Sequence, residues 1–183
     1  MSQVSVIKKM TMSAVCIALC VVLPIAFHII PNAGPVFLPM HIPVLLCGLI
    51  CGWQYGAVCG IAGPLLSSML TGMPPAPVLP SMMVECGMYG LTAGLMMRYY
   101  RGGSTYRDLY VSLPVAMVAG RIFAGVARAL IFAPGTNVIA WIAGSMATAL
   151  PGIVIQLVLL PTLVVLLMRA GVLPLRYEGE FSK

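Results

Sequence analysis

Glu85, Arg121 and Arg128 pose the central chemical question of this chain, because each stands inside a long apolar stretch. An ionised side chain at the centre of a bilayer costs about 2.5–3.5 kcal/mol on insertion scales, so it normally has a partner or a function. Arg121 and Arg128 are seven residues apart, two helical turns, which puts them on one face of a helix. A guanidinium presents a planar fork of donors that suits a carboxylate, a phosphate or a carbonyl. At about 1.5 Å per residue, Arg128 lies roughly 7 Å and Arg121 roughly 18 Å below the outer end of their helix, and Glu85 roughly 9 Å below the outer end of its own. The similar depths predict that Glu85 faces Arg128. Arg121 is then left near the midplane without an acidic partner, and it is expected to receive an anionic or strongly hydrogen-bonding ligand. The bland reading is an arginine that binds helix carbonyls or snorkels.

Other polar groups fall at a similar depth. His41 opens the second apolar segment, Tyr89 is one turn from Glu85, and Asn137 and Trp141 open the last segment. Tyr and Trp are common interfacial anchors, Asn is a common helix cap, and a lone His is more often structural than a ligand. Their convergence on the outer half of the bundle predicts a small-molecule pocket built from Arg121, Arg128, Glu85, Tyr89, His41, Asn137 and Trp141. His28 and His41 flank the first connection.

Enzyme signatures are missing. There is no G-x-x-x-x-G-K-[ST] loop, so the chain does not use ATP in the P-loop manner, and no H-E-x-x-H helix. Gly144-Ser145 lacks the rest of a G-x-S-x-G elbow. A single intramembrane carboxylate is too few for metal-dependent phosphotransfer. The six cysteines (16, 20, 47, 51, 59 and 86) form no C-x-x-C pair and read as small buried packers rather than metal ligands. Neither an enzyme nor a bound metal or cofactor is expected.

The elements that must position these residues are membrane helices. Of 183 residues, 61% are hydrophobic and 8% charged, with a mean hydropathy of +1.05. Soluble domains are about one-quarter charged, and disordered chains are poor in apolar residues, so both classes are excluded. Between Met10 and Met97 the only charge is Glu85. The apolar stretches are continuous rather than alternating, which favours helices over a barrel. Breakers divide the chain into six spans, approximately 8–30, 38–52, 55–72, 79–98, 108–133 and 138–169, forming a single six-helix transmembrane domain over 1–183. The first span follows Lys8-Lys9 and resembles a signal peptide, but its length reads as a retained helix.

Orientation follows from Lys8, Lys9, Arg98, Arg101, Arg107, Arg169, Arg176 and Lys183, which fall at the two ends and the fourth connection. The connections after spans one, three and five carry no Lys or Arg. Both termini are therefore expected in the cytoplasm. The net charge of +6 is topogenic, and no basic soluble face exists for nucleic acid. The outer connections, Pro35 to His41 and Met73 to Pro77, are rich in Pro and Met and suit either a lid over a cavity or a segment lying in the interface. Small residues four apart, as in Ala14/Ala18, Gly48/Gly52, Gly56/Gly60, Gly90/Gly94 and Ala116/Gly120/Ala124, allow close helix approach.

Several stretches carry a family resemblance. These are Leu38-Pro39-Met40-His41-Ile42-Pro43-Val44-Leu45-Leu46-Cys47-Gly48, Tyr55-Gly56-Ala57, Pro64-Leu65-Leu66-Ser67-Ser68-Met69-Leu70-Thr71-Gly72-Met73-Pro74-Pro75, Glu85-Cys86-Gly87-Met88-Tyr89-Gly90 and Gly120-Arg121. With six short spans and no ATPase motif, the chain resembles the S components, the substrate-binding subunits, of energy-coupling factor (ECF) vitamin transporters. The resemblance implies a plasma-membrane binder of a vitamin or vitamin precursor, working with a transmembrane coupling subunit and two ATPase subunits that use ATP on its behalf. It also implies that Ala14 and Ala18 match the family's alanine-x-x-x-alanine motif, which contacts the coupling subunit. The surplus arginine favours a pantothenate-like ligand; aromatic and Met-rich walls suit a pyridoxine-type compound or a cobalamin lower-ligand precursor. The competing class is a self-sufficient carrier, channel or membrane scaffold. A carrier would show internal repeats or midplane ion-coupling carboxylates, and a scaffold has no reason to bury two arginines.

Overall fold

A computed structural model describes residues 5–27, 33–135 and 137–177. Among them every regular element is a helix. Without water in a bilayer core, only elements that satisfy their own backbone groups can span it, and apolar sequences of this length do so as helices. The elements are α1 (Val6–Phe27), the short α2 (Ala33–Phe37), α3 (His41–Cys51), α4 (Trp53–Thr71), α5 (Leu79–Tyr99), α6 (Thr105–Ala127), a π-helical turn (Arg128–Phe132), α7 (Val138–Thr148) and α8 (Leu150–Arg169). His28 lies outside the described residues.

Breaks fall where the backbone demands them. Gly52, at φ 101°, separates α3 from α4 in a conformation open mainly to glycine. Gly72 ends α4 in the left-handed region and donates its N–H to Ser68 O at 2.9 Å. The sixth expected span, 138–169, is instead two helices meeting at Ala149. Pro151 explains the break: it has no N–H to continue the α7 ladder, whereas in the first turn of α8 that loss is harmless.

Four helical stretches are both long and apolar enough to cross a membrane: Val6–Phe27, Gly34–Cys51, Thr105–Phe132 and Leu150–Arg169. Helices α4 and α5, at 19 and 21 residues, have the length but dilute their hydropathy with Gly, Ser, Gln54, Glu85 and Arg98. Those glycines are packing sites. A Cβ on Gly90 would run into the Gly56 carbonyl, one on Gly60 into the Cys86 carbonyl, and one on Gly94 into the Trp53 backbone. Thus α3, α4 and α5 meet backbone to backbone. The six cysteines are free and buried. Cys47 Sγ donates to Ser13 Oγ at 3.5 Å and Cys20 Sγ to Met40 O at 3.7 Å, joining α1 to the α3 layer.

At the end bearing Arg98 and Arg107, buried Asp108 gathers the Gly102 N–H at 2.6 Å, the Tyr177 hydroxyl at 2.7 Å and the Arg176 guanidinium. Arg176 also donates to Tyr100 O at 2.6 Å. This clasp ties the segment after α8 to the α5–α6 connection, so both ends of the bundle's second half are fixed away from the cavity described next.

Candidate functional site

The opposite end holds a cavity of about 870 Å³, within the 300–1,000 Å³ typical of small-molecule sites. Its walls are the end of α1, the α2–α3 connection, residues 73–75, the first turns of α5, the far half of α6 and one face of α7. Two local devices shape its mouth. Leu38 is held at φ 51°, an uncommon conformation for a branched side chain, and its carbonyl accepts from His41 N–H at 3.0 Å and from buried Gln156 Nε2 at 3.4 Å. That turn aims Met40 and His41 inward. Across the mouth, Ser67 Oγ donates to Met73 O and Ser68 Oγ to Pro74 O, each at 2.8 Å, tying the proline-rich connection to the end of α4. The connections Pro35 to His41 and Met73 to Pro77, singled out in the sequence, thus both contribute residues to the mouth of one cavity.

The floor is a buried polar cluster. Glu85 Oε1 accepts from Tyr89 OH at 3.0 Å and pairs with Arg121 Nε at 3.2 Å. Arg121 Nε also donates to Tyr89 OH at 3.1 Å. His41 Nε2 lies 3.6 Å from Glu85 Oε1, just beyond hydrogen-bond distance, and its ring stands 5.2 Å from that of Tyr89. Arg121 is 4% and His41 2% exposed. Yet Arg121 Nη2 and both His41 ring nitrogens make no hydrogen bond among the described residues. Buried polar atoms are normally satisfied, so these unmet groups on a cavity wall can bond a polar molecule that enters it.

This geometry corrects the expected pairing. Glu85 is held by Arg121, not Arg128. The depth count assumed that the outer ends of the two helices lie level, whereas their register is set by Gly120. A Cβ there would overlap the Tyr89 ring, so α6 packs directly on α5 at that level and brings the next residue, Arg121, to Glu85. Arg128 sits two turns further out, half-buried, at the start of the π-helical turn. Its guanidinium lies 6.0 Å from the centre of the Trp141 ring, and its Nε has no hydrogen-bond partner among the described residues.

Of the seven expected pocket residues, Glu85, His41, Arg121, Arg128 and Trp141 line the cavity. Tyr89 stands behind it, 1% exposed, as the bridge between Glu85 and Arg121. Asn137 does not line it; its Oδ1 accepts from Ala140 N–H at 3.1 Å and caps α7. Sequence reasoning missed Met82 and the α7 face of Gly144, Ser145 and Thr148. With Trp141 those three follow helical i, i+3, i+4, i+7 spacing, the one signal that could have found them. Ala14 and Ala18 lie on the exposed side of α1, opposite buried Ser13, Cys16, Cys20 and Pro24.

No curated protein and no solved structure matches the chain. The family model for the ECF transporter substrate-specific component does, over residues 8–164. Members of that family are substrate-binding subunits of transporters rather than enzymes, and they associate with ECF transmembrane and ATPase subunits. The match embraces every residue around the cavity, and the chain therefore belongs to the substrate-specific components of ECF transporters.

Proposed function

We propose that the protein captures a vitamin or vitamin precursor outside the cell and delivers it through a complex with a transmembrane coupling subunit and two ATPase subunits. ATP is used by those partners, and this chain needs no cofactor. The observation that carries the reading is the 870 Å³ cavity whose floor presents the unmet hydrogen-bonding groups of Arg121 and His41 beside Glu85. A pantothenate-like ligand fits this mixture of donors, acceptors and arginines best. Met40, Met82 and Trp141 on the walls favour, as the second reading, a flat heterocycle such as a pyridoxine-type compound or a cobalamin lower-ligand precursor. The chain sits in the plasma membrane as one domain of six spans, with α7 and α8 together making the sixth. Both termini are cytoplasmic, which puts the cavity outside. Native mass spectrometry of the detergent-purified protein tests the reading: a co-purifying small molecule is expected, and its absence across preparations would count against capture.

Two substitutions separate binding from coupling. Arg121→Lys keeps the charge but loses the planar fork, so ligand affinity should fall by about 1.5–3 kcal/mol, the range for charged hydrogen bonds. Titration calorimetry with the co-purified ligand reads this, and unchanged affinity would reduce Arg121 to a structural partner of Glu85. Ala14 and Ala18, small and exposed on α1, offer a surface for close helix approach. Ala18→Leu should abolish co-purification with the coupling subunit while ligand binding by the isolated protein survives. The reverse pattern would assign the surface wrongly.

A further inference from the structure

We propose that the ligand is an elongated monoanion bound with its charged end outward, the anion on Arg128 and a neutral hydroxyl- or amide-bearing end on the Glu85–Arg121–His41 floor. This rests on the capture function proposed above and adds the ligand's charge, length and direction.

The charge arrangement is the starting point. Among the described lining residues Glu85 is the one carboxylate, and Arg121 holds it at 3.2 Å. That pair cancels. The other arginine on the cavity wall, Arg128, has no carboxylate among the described lining residues to cancel it. A ligand anion placed on Arg121 would lie against the Glu85 carboxylate in a low-dielectric pocket, where like charges repel strongly. Placed on Arg128, it meets a guanidinium whose Nε has no hydrogen-bond partner among the described residues. The Trp141 ring centre lies 6.0 Å from that guanidinium, at the outer reach of a cation–π contact.

The floor asks for something different. Arg121 Nη2 is a donor without a partner among the described residues, both His41 nitrogens are likewise without one, and Glu85 accepts. A hydroxyl or amide, which both gives and takes hydrogen bonds, matches that set better than an anion does. Arg121 and Arg128 are seven residues apart, so the two recognition points are separated by roughly 10 Å along the helix. Met40, Met82 and Trp141 on the cavity wall supply apolar surface for the ligand's middle.

Titration calorimetry with two probes tests the direction: pantothenate, a carboxylate with hydroxyl and amide groups at its far end, and pantothenol, its uncharged alcohol. The wild type should bind the acid at least about tenfold more tightly than the alcohol, the factor expected of one charged hydrogen bond. Arg128→Gln should bring the two probes to within about threefold of each other, and a size-exclusion profile and melting temperature like the wild type's show that the variant is folded. Arg121→Lys should weaken both probes by a similar factor and keep the ratio. A ratio retained in Arg128→Gln and lost in Arg121→Lys overturns the proposal, as does equal binding of both probes by the wild type. Binding of neither probe also overturns it, and native mass spectrometry then separates the two levels: a different co-purified small molecule leaves the capture function standing, and none removes both.

Discussion

Gly90→Val should leave almost no monodisperse protein on detergent extraction. Gly90 faces Gly56 across the α4–α5 contact, and a Cβ at either position points into the other's backbone. Overpacking a core usually costs about 1–3 kcal/mol because flexible side chains give way. Here the obstruction is a carbonyl group of a neighbouring helix, so relief requires two helices to separate, along with Gly48 and Gly94, which close on the same layer. Gly144→Ala is the matched control, since a Cβ there meets nothing within 4 Å. Fluorescence-detected size-exclusion chromatography reads both variants. A Gly90→Val peak of normal height would mean that the contact is looser than the structure shows it.

The second large effect concerns the buried ion pair. Glu85→Leu alone should cost about 3–5 kcal/mol, because it strands the Arg121 charge in an apolar interior. For a chain of 183 residues that is a fall in melting temperature of roughly 6–20 °C. Glu85→Leu combined with Arg121→Met should recover much of the loss, since no uncompensated charge remains. The corresponding cycle with Arg128→Met should be additive within about 0.5 kcal/mol, as for residues without a direct contact. Coupling of Glu85 to Arg128 but not to Arg121 would sink the pairing.

How far the sequence discloses this molecule depends on what kind of information each feature needs. Rarity is enough to find Glu85, Arg121 and Arg128, because a charge in a long apolar stretch stands out by itself. Their partnership is not legible in that way. It depends on the register of α6 against α5, which a glycine at position 120 sets through the Tyr89 ring, and counting residues from helix ends carries no such information. His41 and Trp141 were found by depth, and so was Asn137, although its side chain is spent on the α7 cap. The α7 wall stayed hidden because Gly144, Ser145 and Thr148 are small and barely dent an apolar stretch. The break before Pro151 was written in the chain and was overridden by continuous hydropathy across 138–169.

Helix α7 has a consequence of another kind. None of its residues is fully buried, it ends at Ala149 where α8 begins, and one of its faces forms cavity wall. The glycine-packed layers of α3, α4 and α5 tolerate almost no change, whereas exchanges on the cavity face of α7 leave those layers untouched. Evolution can therefore rewrite what this protein recognises by drift along eleven residues, with the load of stability carried elsewhere. New ligand preferences can arise in such a lineage without passing through unfolded ancestors.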